Sequence, residues 1–228
     1  MVKVEEKTDC YASEAQRKLL IEMSSFSMIS EDFFLTGGTA LSVFYMHHRK
    51  SEDIDLFTTN ESIELSDIIF SIKKRWGQNL VEIKQTPEYF SGLIEGVKVD
   101  LVKDRLSDKS GRSRFAFNDR AKILIDSIEN IMSNKLCTLV SRREPKDFID
   151  FYFLSEYSDV FDFEKVYEGA VNKDAVFDDP PTAAYQIEDS YNAIREMVGG
   201  LSWMMKKIDT KLFDSFYKEI IKKIYDKK

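Results

Sequence analysis

The 228-residue chain has few of the residues that build metal cages and covalent frameworks. Its two cysteines, Cys10 and Cys137, lie far apart in no metal-ligand spacing, and its only histidines are the adjacent His47 and His48. This scarcity argues against zinc chemistry and against a disulfide framework. No apolar run approaches the length of a membrane span, so no membrane partner is expected. The opening MVKVEEKTD has no apolar stretch of the secretory kind. A reducing cytoplasm is the expected compartment. There is no internal repeat and no low-complexity segment.

What is present is ordinary globular composition, 43% hydrophobic and 32% charged. The length suffices for one sizeable core or two small domains. A formal net charge of -7 speaks against indiscriminate nucleic-acid binding. The charge is uneven: Trp203 to Lys228 holds eight lysines and four acids. Such a basic tail suits a phosphate backbone or an acidic partner, while the plain alternative is a solvated helix face.

Hydrophobic spacing predicts a helix over Ala12–Ile29 and a short strand over Phe33–Thr36 that ends at Gly37-Gly38. A helix over Ala40–His47 follows, with Thr39 as its expected N-cap. His47 and His48 read as a capping pair at its end, because adjacent helix residues do not share a face. Next come a strand at Asp53–Thr58, a helix at Ile63–Trp76, and strands at Leu80–Gln85, Tyr89–Glu95 and Val97–Val102. Asp104–Arg120 turns polar and irregular and reads as a loop or short elements. Beyond it the chain reads as helical: Ser127–Arg143, a segment starting at Asp147 after Pro145, Thr182–Val198, and one or two helices from Leu201 on. Asp178-Asp179-Pro180-Pro181 reads as a breaker and Gly199-Gly200 as a stop. The expected fold is α+β, with a mixed α/β domain over 1–120 and a helical domain over 121–228 that completes the active site.

The chemistry concentrates in three places. In Asp53-Ile54-Asp55-Leu56-Phe57, strand alternation turns both aspartates to one face and the apolar residues to the other. Two like charges side by side are costly unless a cation neutralises them. Magnesium suits carboxylates that leave room for water and phosphate oxygens. Asp100, in Lys98-Val99-Asp100-Leu101-Val102, adds a third acid as metal ligand or general base if its strand neighbours the first. Asp104 is a nearby alternative. Gly37-Gly38-Thr39 joins a strand to a helix start, where free amides hold anions. No lysine stands where a P-loop would need it. Lys135 and Arg142, seven apart on one expected helix, would share a face able to meet triphosphate oxygens. Asp147 and Asp150 open the next helix, where either can orient Lys135 or accept a proton. Taken singly, each feature has a plainer reading as a turn, a solvated face or an exposed ion-pair set. In this order and spacing, they point to phosphate chemistry.

The string Leu35-Thr36-Gly37-Gly38-Thr39-Ala40-Leu41-Ser42, followed by His48-Arg49-Lys50-Ser51-Glu52-Asp53-Ile54-Asp55-Leu56-Phe57, resembles polymerase-beta-like nucleotidyltransferases. It is most similar to the AbiEii/AbiGii toxin family of bacterial abortive-infection toxin–antitoxin pairs. Fourteen residues separate Gly38 from Asp53, slightly more than is common in the superfamily. Lys135, Arg142 and Pro145–Leu154 resemble the family's downstream lysine and aspartate motifs. The resemblance covers roughly residues 33 to 154. It implies transfer of a nucleotidyl group from a nucleoside triphosphate with Mg2+ or Mn2+. Asp53, Asp55 and Asp100 would hold metal. Gly37, Gly38, Thr39, Ser51, Lys135 and Arg142 would hold the nucleotide, and Lys135, Asp147 and Asp150 would join the catalytic set. It further implies an RNA acceptor such as tRNA, a separately encoded antitoxin and a role in phage defence. Two alternatives remain open at this point: the same transfer to a small molecule or protein, and a nucleotide-binding relative without catalysis.

Overall fold

The computed structural model describes residues 3–156 and 161–227. The chain divides into two compact units, Met1–Ser127 and Ile128–Lys228. Among the described residues, no helix is long and apolar enough to cross a membrane.

The first unit is built on a seven-stranded mixed sheet. Its strands are β1 (Phe34–Leu35), β2 (Ile54–Thr58), β3 (Leu80–Gln85), β4 (Tyr89–Ile94), β5 (Val97–Lys103), β6 (Ser113–Ala116) and β7 (Lys122–Ile125). They run in the order β3-β4-β5-β2-β1-β7-β6. β2 and β5 pair in parallel, as do β1 and β7; β1 and β2 are antiparallel. The helices are α1 (Glu14–Met23), α2 (Ser27–Asp32), α3 (Gly37–Thr39) and α4 (Leu65–Trp76). Alternation decides which strand residues enter the core. Ile54 and Leu56 of β2 and Val99 and Leu101 of β5 are fully buried, and their polar neighbours turn the other way.

Four expectations need correction here. The helix expected over Ala12–Ile29 is two helices, α1 and α2, separated at Ser24–Phe26. Ser24 keeps helical angles and bonds the Leu20 carbonyl through both amide and hydroxyl, and the chain turns extended at Phe26, which precedes α2. The helix after the glycines begins at Gly37 itself, so Thr36, with extended angles, is the N-cap and Thr39 is not. It continues as a π-helical stretch, Ala40–Met46, and His47 ends it with φ of 53° in the left-handed region. His47 Nδ1 lies 3.2 Å from the Ser42 carbonyl, whereas His48 is fully buried. The irregular stretch after Asp104 contains the β6–β7 hairpin, which carries the first unit to Ser127. Short strands rich in Arg, Ser and Asn neighbours gave no clear period.

The second unit is helical: α5 (Ile128–Ser141), α6 (Pro145–Ser155), α7 (Phe163–Val171), α8 (Pro180–Ile194) and α9 (Thr210–Tyr225). Prolines start two of these helices rather than breaking them: Pro145 opens α6, and Pro180-Pro181 open α8, where the missing amide costs nothing. Asp162, Asp179 and Asp209 cap α7, α8 and α9. The core is aromatic. Tyr191 stacks on Tyr217 at 4.9 Å between ring centroids, and Phe148 and Phe213 pack on the same Tyr217 ring. In the basic tail, Phe213, Tyr217, Ile220 and Ile224 face inward. Lys218 and Lys223 face solvent and pair with Asp214 and Glu219 one turn back. The lysine run therefore forms a solvated face.

Candidate active site

In the sheet unit, the parallel register sets Asp55 directly opposite Asp100. Neighbouring strands lie about 4.8 Å apart, so the two carboxylates leave the same face side by side. Asp53 stands one residue before β2. Its backbone carbonyl accepts from the Gln16 side-chain amide at 3.2 Å and from the Thr39 hydroxyl. Gln16, itself buried, also donates to Thr39 Oγ1 at 3.3 Å. α1 and the glycine turn thus clamp the start of β2. Thr39 is fully buried with its hydroxyl used in this clamp, so it helps position Asp53 and does not offer its side chain to a ligand.

Gly37 has φ of 67°, a conformation that side chains resist. A methyl group there would overlap Asp55 Oδ2. At Gly38, a methyl group would overlap the Arg49 guanidinium and come within 2.9 Å of Ser51 Oγ. The two glycines therefore bring bare backbone against Asp55 on one side and against Arg49 and Ser51 on the other. Arg49 and Ser51 are both buried. Their segment is pinned by backbone bonds from Ser51 N to Cys10 O and from Ala12 N to Ser51 O. Arg49 escapes a search restricted to acids and glycines. The signal that finds it is its place two residues before Ser51 in the Arg-x-Ser-x-Asp-x-Asp string.

Lys98 is the other group that such a search misses. Its ammonium donates to Asp100 Oδ2 at 3.1 Å, and Ser91 Oγ donates to Asp100 Oδ1 at 2.6 Å. Partial burial works against the charged lysine. The hydrogen bond to Asp100 and the nearby charges of Asp53, Asp100 and Asp55 outweigh it and hold the amine above the usual lysine range. The charges of all three acids thus favour this one ammonium, which contacts Asp100. Asp104 lies outside this group: its oxygens accept from Leu106 N and Ser107 Oγ and form a turn. Among the described residues, no three acidic, histidine or cysteine side chains gather tightly enough to cage an ion as they stand. The donor chemistry still fits a hard divalent cation, since every donor is a carboxylate and the structure already holds a positive group there. A cavity of about 420 Å³ in the same unit, lined by Glu31, Asp32, Asn60, Lys109 and Arg112 among others, includes none of these residues.

In the helical unit, Lys135 bridges Asp147 at 2.7 Å and Asp150 at 2.6 Å. All three are buried. Asp147 Oδ2 has no hydrogen-bond partner. Arg142 departs from expectation. It lies one residue past the end of α5 and is exposed, while Lys135 is buried, so the two do not present one shared cationic face.

A sequence profile described as "Nucleotidyl transferase AbiEii toxin, Type IV TA system" matches residues 18–198. An uncharacterized protein of Aquifex aeolicus (strain VF5), aq_aa25, is 31% identical over 144 residues, or 61% of this chain and 65% of that protein's length. Among solved structures, JHP933 from Helicobacter pylori is similar at a TM-score of 0.51 and 16% identity, over 93% of each chain. MenT4, a nucleotidyltransferase toxin from Mycobacterium tuberculosis H37Rv, is similar at 0.53 and 10% identity, over 94% of this chain and 82% of its own. These structural likenesses show the fold, and the profile match over residues 18–198 shows the family: the chain belongs to the AbiEii nucleotidyltransferase toxin family.

Proposed function

We propose that the chain moves a nucleotidyl group from a nucleoside triphosphate to the end of an RNA such as tRNA. In this reading it acts in the cytoplasm as the toxin of an abortive-infection pair whose antitoxin is encoded separately. The observation that carries the reading is the side-by-side register of Asp55 and Asp100 over a glycine turn that also adjoins Arg49 and Ser51. An acceptor hydroxyl oxygen attacks the α-phosphorus, the bond to the β-phosphate oxygen breaks, and pyrophosphate leaves. Asp53, Asp55 and Asp100 hold Mg2+ or Mn2+. A metal held by these residues would supply electrostatic stabilisation of the charge that develops during transfer.

The chain's own groups do the rest. Gly37 and Gly38 let phosphate oxygens approach main-chain amides, and Arg49 and Ser51 supply a guanidinium fork and a hydroxyl beside them. In the helical unit, Lys135 belongs to the catalytic set that the family resemblance implies, held by its two aspartates. Asp150 orients Lys135, and Asp147, with one carboxylate oxygen unpartnered, accepts a proton. Arg142, exposed at the end of α5, meets nucleotide or RNA phosphate from solvent.

The test is expression in a bacterial host, wild type against Asp55→Ala, with sequencing of RNA 3′ ends. Growth arrest with extended ends in the wild type alone is expected. Labelling of a small molecule or protein instead of RNA would redirect the acceptor, and equal extension by both proteins would overturn the site.

A further inference from the structure

Three carboxylates and one ammonium share the face of β2 and β5. Lys98 sits two residues before Asp100, so strand alternation puts both on that face. It holds Asp100 Oδ2 at 3.1 Å while Ser91 holds the other oxygen, so Asp100 has a partner on each oxygen. Without Lys98, Asp55 and Asp100 would still stand opposite each other on adjacent strands as like charges, and Asp100 would lose its ammonium partner. The lysine side chain is 40% exposed and ends in a flexible stem, so its ammonium has a path into water.

We propose that Lys98 is a built-in counter-ion of the nucleotidyl-transfer site, and that a divalent cation engages Asp100 only by displacing it. This rests on the metal assignment made above and adds to it a competition within the protein. The site is never a bare cluster of acids: it exchanges one cation for another. The ammonium weakens metal affinity and keeps the carboxylates compatible with a folded sheet when metal is scarce. Lys98 is thus a positioning residue. It acts through Asp100 and takes no part in bond making.

The experiment is calorimetric titration of Mn2+ into the full chain, without nucleotide, for the wild type, Lys98→Gln, Lys98→Arg, Asp55→Asn and Lys98→Gln/Asp55→Asn. Removing a half-exposed competing charge should tighten Mn2+ binding on the order of three- to tenfold in Lys98→Gln. Lys98→Arg, which keeps the charge, should gain nothing, and the double variant should lose the gain. Circular dichroism of each variant checks that the fold persists. Unchanged or weaker binding in folded Lys98→Gln, beside wild-type binding that depends on Asp55, overturns the competition and leaves the metal site standing. Absence of Mn2+ binding in every variant overturns both.

Discussion

Each of the two units holds a lysine among aspartates, in opposite ways. In the sheet unit, Lys98 is 40% exposed and faces an excess of acid, with Asp53, Asp55 and Asp100 all contributing to its charge environment. In the helical unit, Lys135 is 9% exposed and held at 2.7 and 2.6 Å by Asp147 and Asp150, which are 2% and 0% exposed. The first arrangement is open and acid-rich, and it suits exchange of its cation. The second is sealed, and its lysine cannot leave without stranding two charges. In the proposed reading the first receives a charged ligand, while the second holds one lysine and two carboxylates in fixed relation.

The largest expected effect lies in the open site. Asp55→Ala should lower nucleotidyl transfer by at least on the order of 10²–10³-fold, the range for loss of one preorganised charged group. Its melting temperature should stay near the wild type, because the change relieves a like-charge pair. A matching fall in stability would mean that Asp55 is structural. The two lysines should then separate in urea unfolding. Lys135→Met leaves two buried carboxylates without their partner and should cost about 3–5 kcal/mol. Lys98→Met breaks a half-exposed pair and should cost less than about 1 kcal/mol. Equal costs would erase the distinction between the two sites.

Smaller effects sharpen the boundary of each site. Gly37→Ala should cost about 1–2 kcal/mol from its left-handed backbone alone, and the added methyl group would push Asp55 aside. Transfer should therefore fall further than stability. A Gly37→Ala protein with full activity would remove the turn from the site. In the helical unit, burial pushes the Cys137 thiol up to about 11, with Asp174 adding and Lys173 opposing. Its thiolate is scarce at pH 8, and alkylation there should be slow and accelerate as pH rises toward 11. Rapid alkylation at pH 8 would mean that this unit is less closed than its Lys135 trio implies.

What could be read in the sequence was local. Alternation gave Asp53 and Asp55 a common face, and the glycines marked their turn. Asp147 and Asp150 opened the helix after the one carrying Lys135, and the family resemblance tied the three together. The pairing of β2 with β5 had to be assumed, because register between strands forty residues apart depends on topology rather than on local period. Arg49 and Lys98 stood in the quoted strings without a role, since a single basic residue has no pattern of its own until a partner is placed beside it. Arg142 misled because spacing does not give burial: its amide still bonds the Thr138 carbonyl, yet its side chain is exposed at the end of α5 while Lys135 is buried against Asp147 and Asp150. Pro145 and Pro180-Pro181 misled in the opposite direction, since a proline that ends one helix equally starts the next.

The most direct measurement is in vitro transfer from each α-³²P-labelled nucleoside triphosphate to purified tRNA with Mg2+, comparing the wild type with Asp55→Asn at equal folded concentration. The account predicts label at the RNA 3′ end with the wild type and a loss to background with Asp55→Asn. Equal labelling by the two proteins would contradict it.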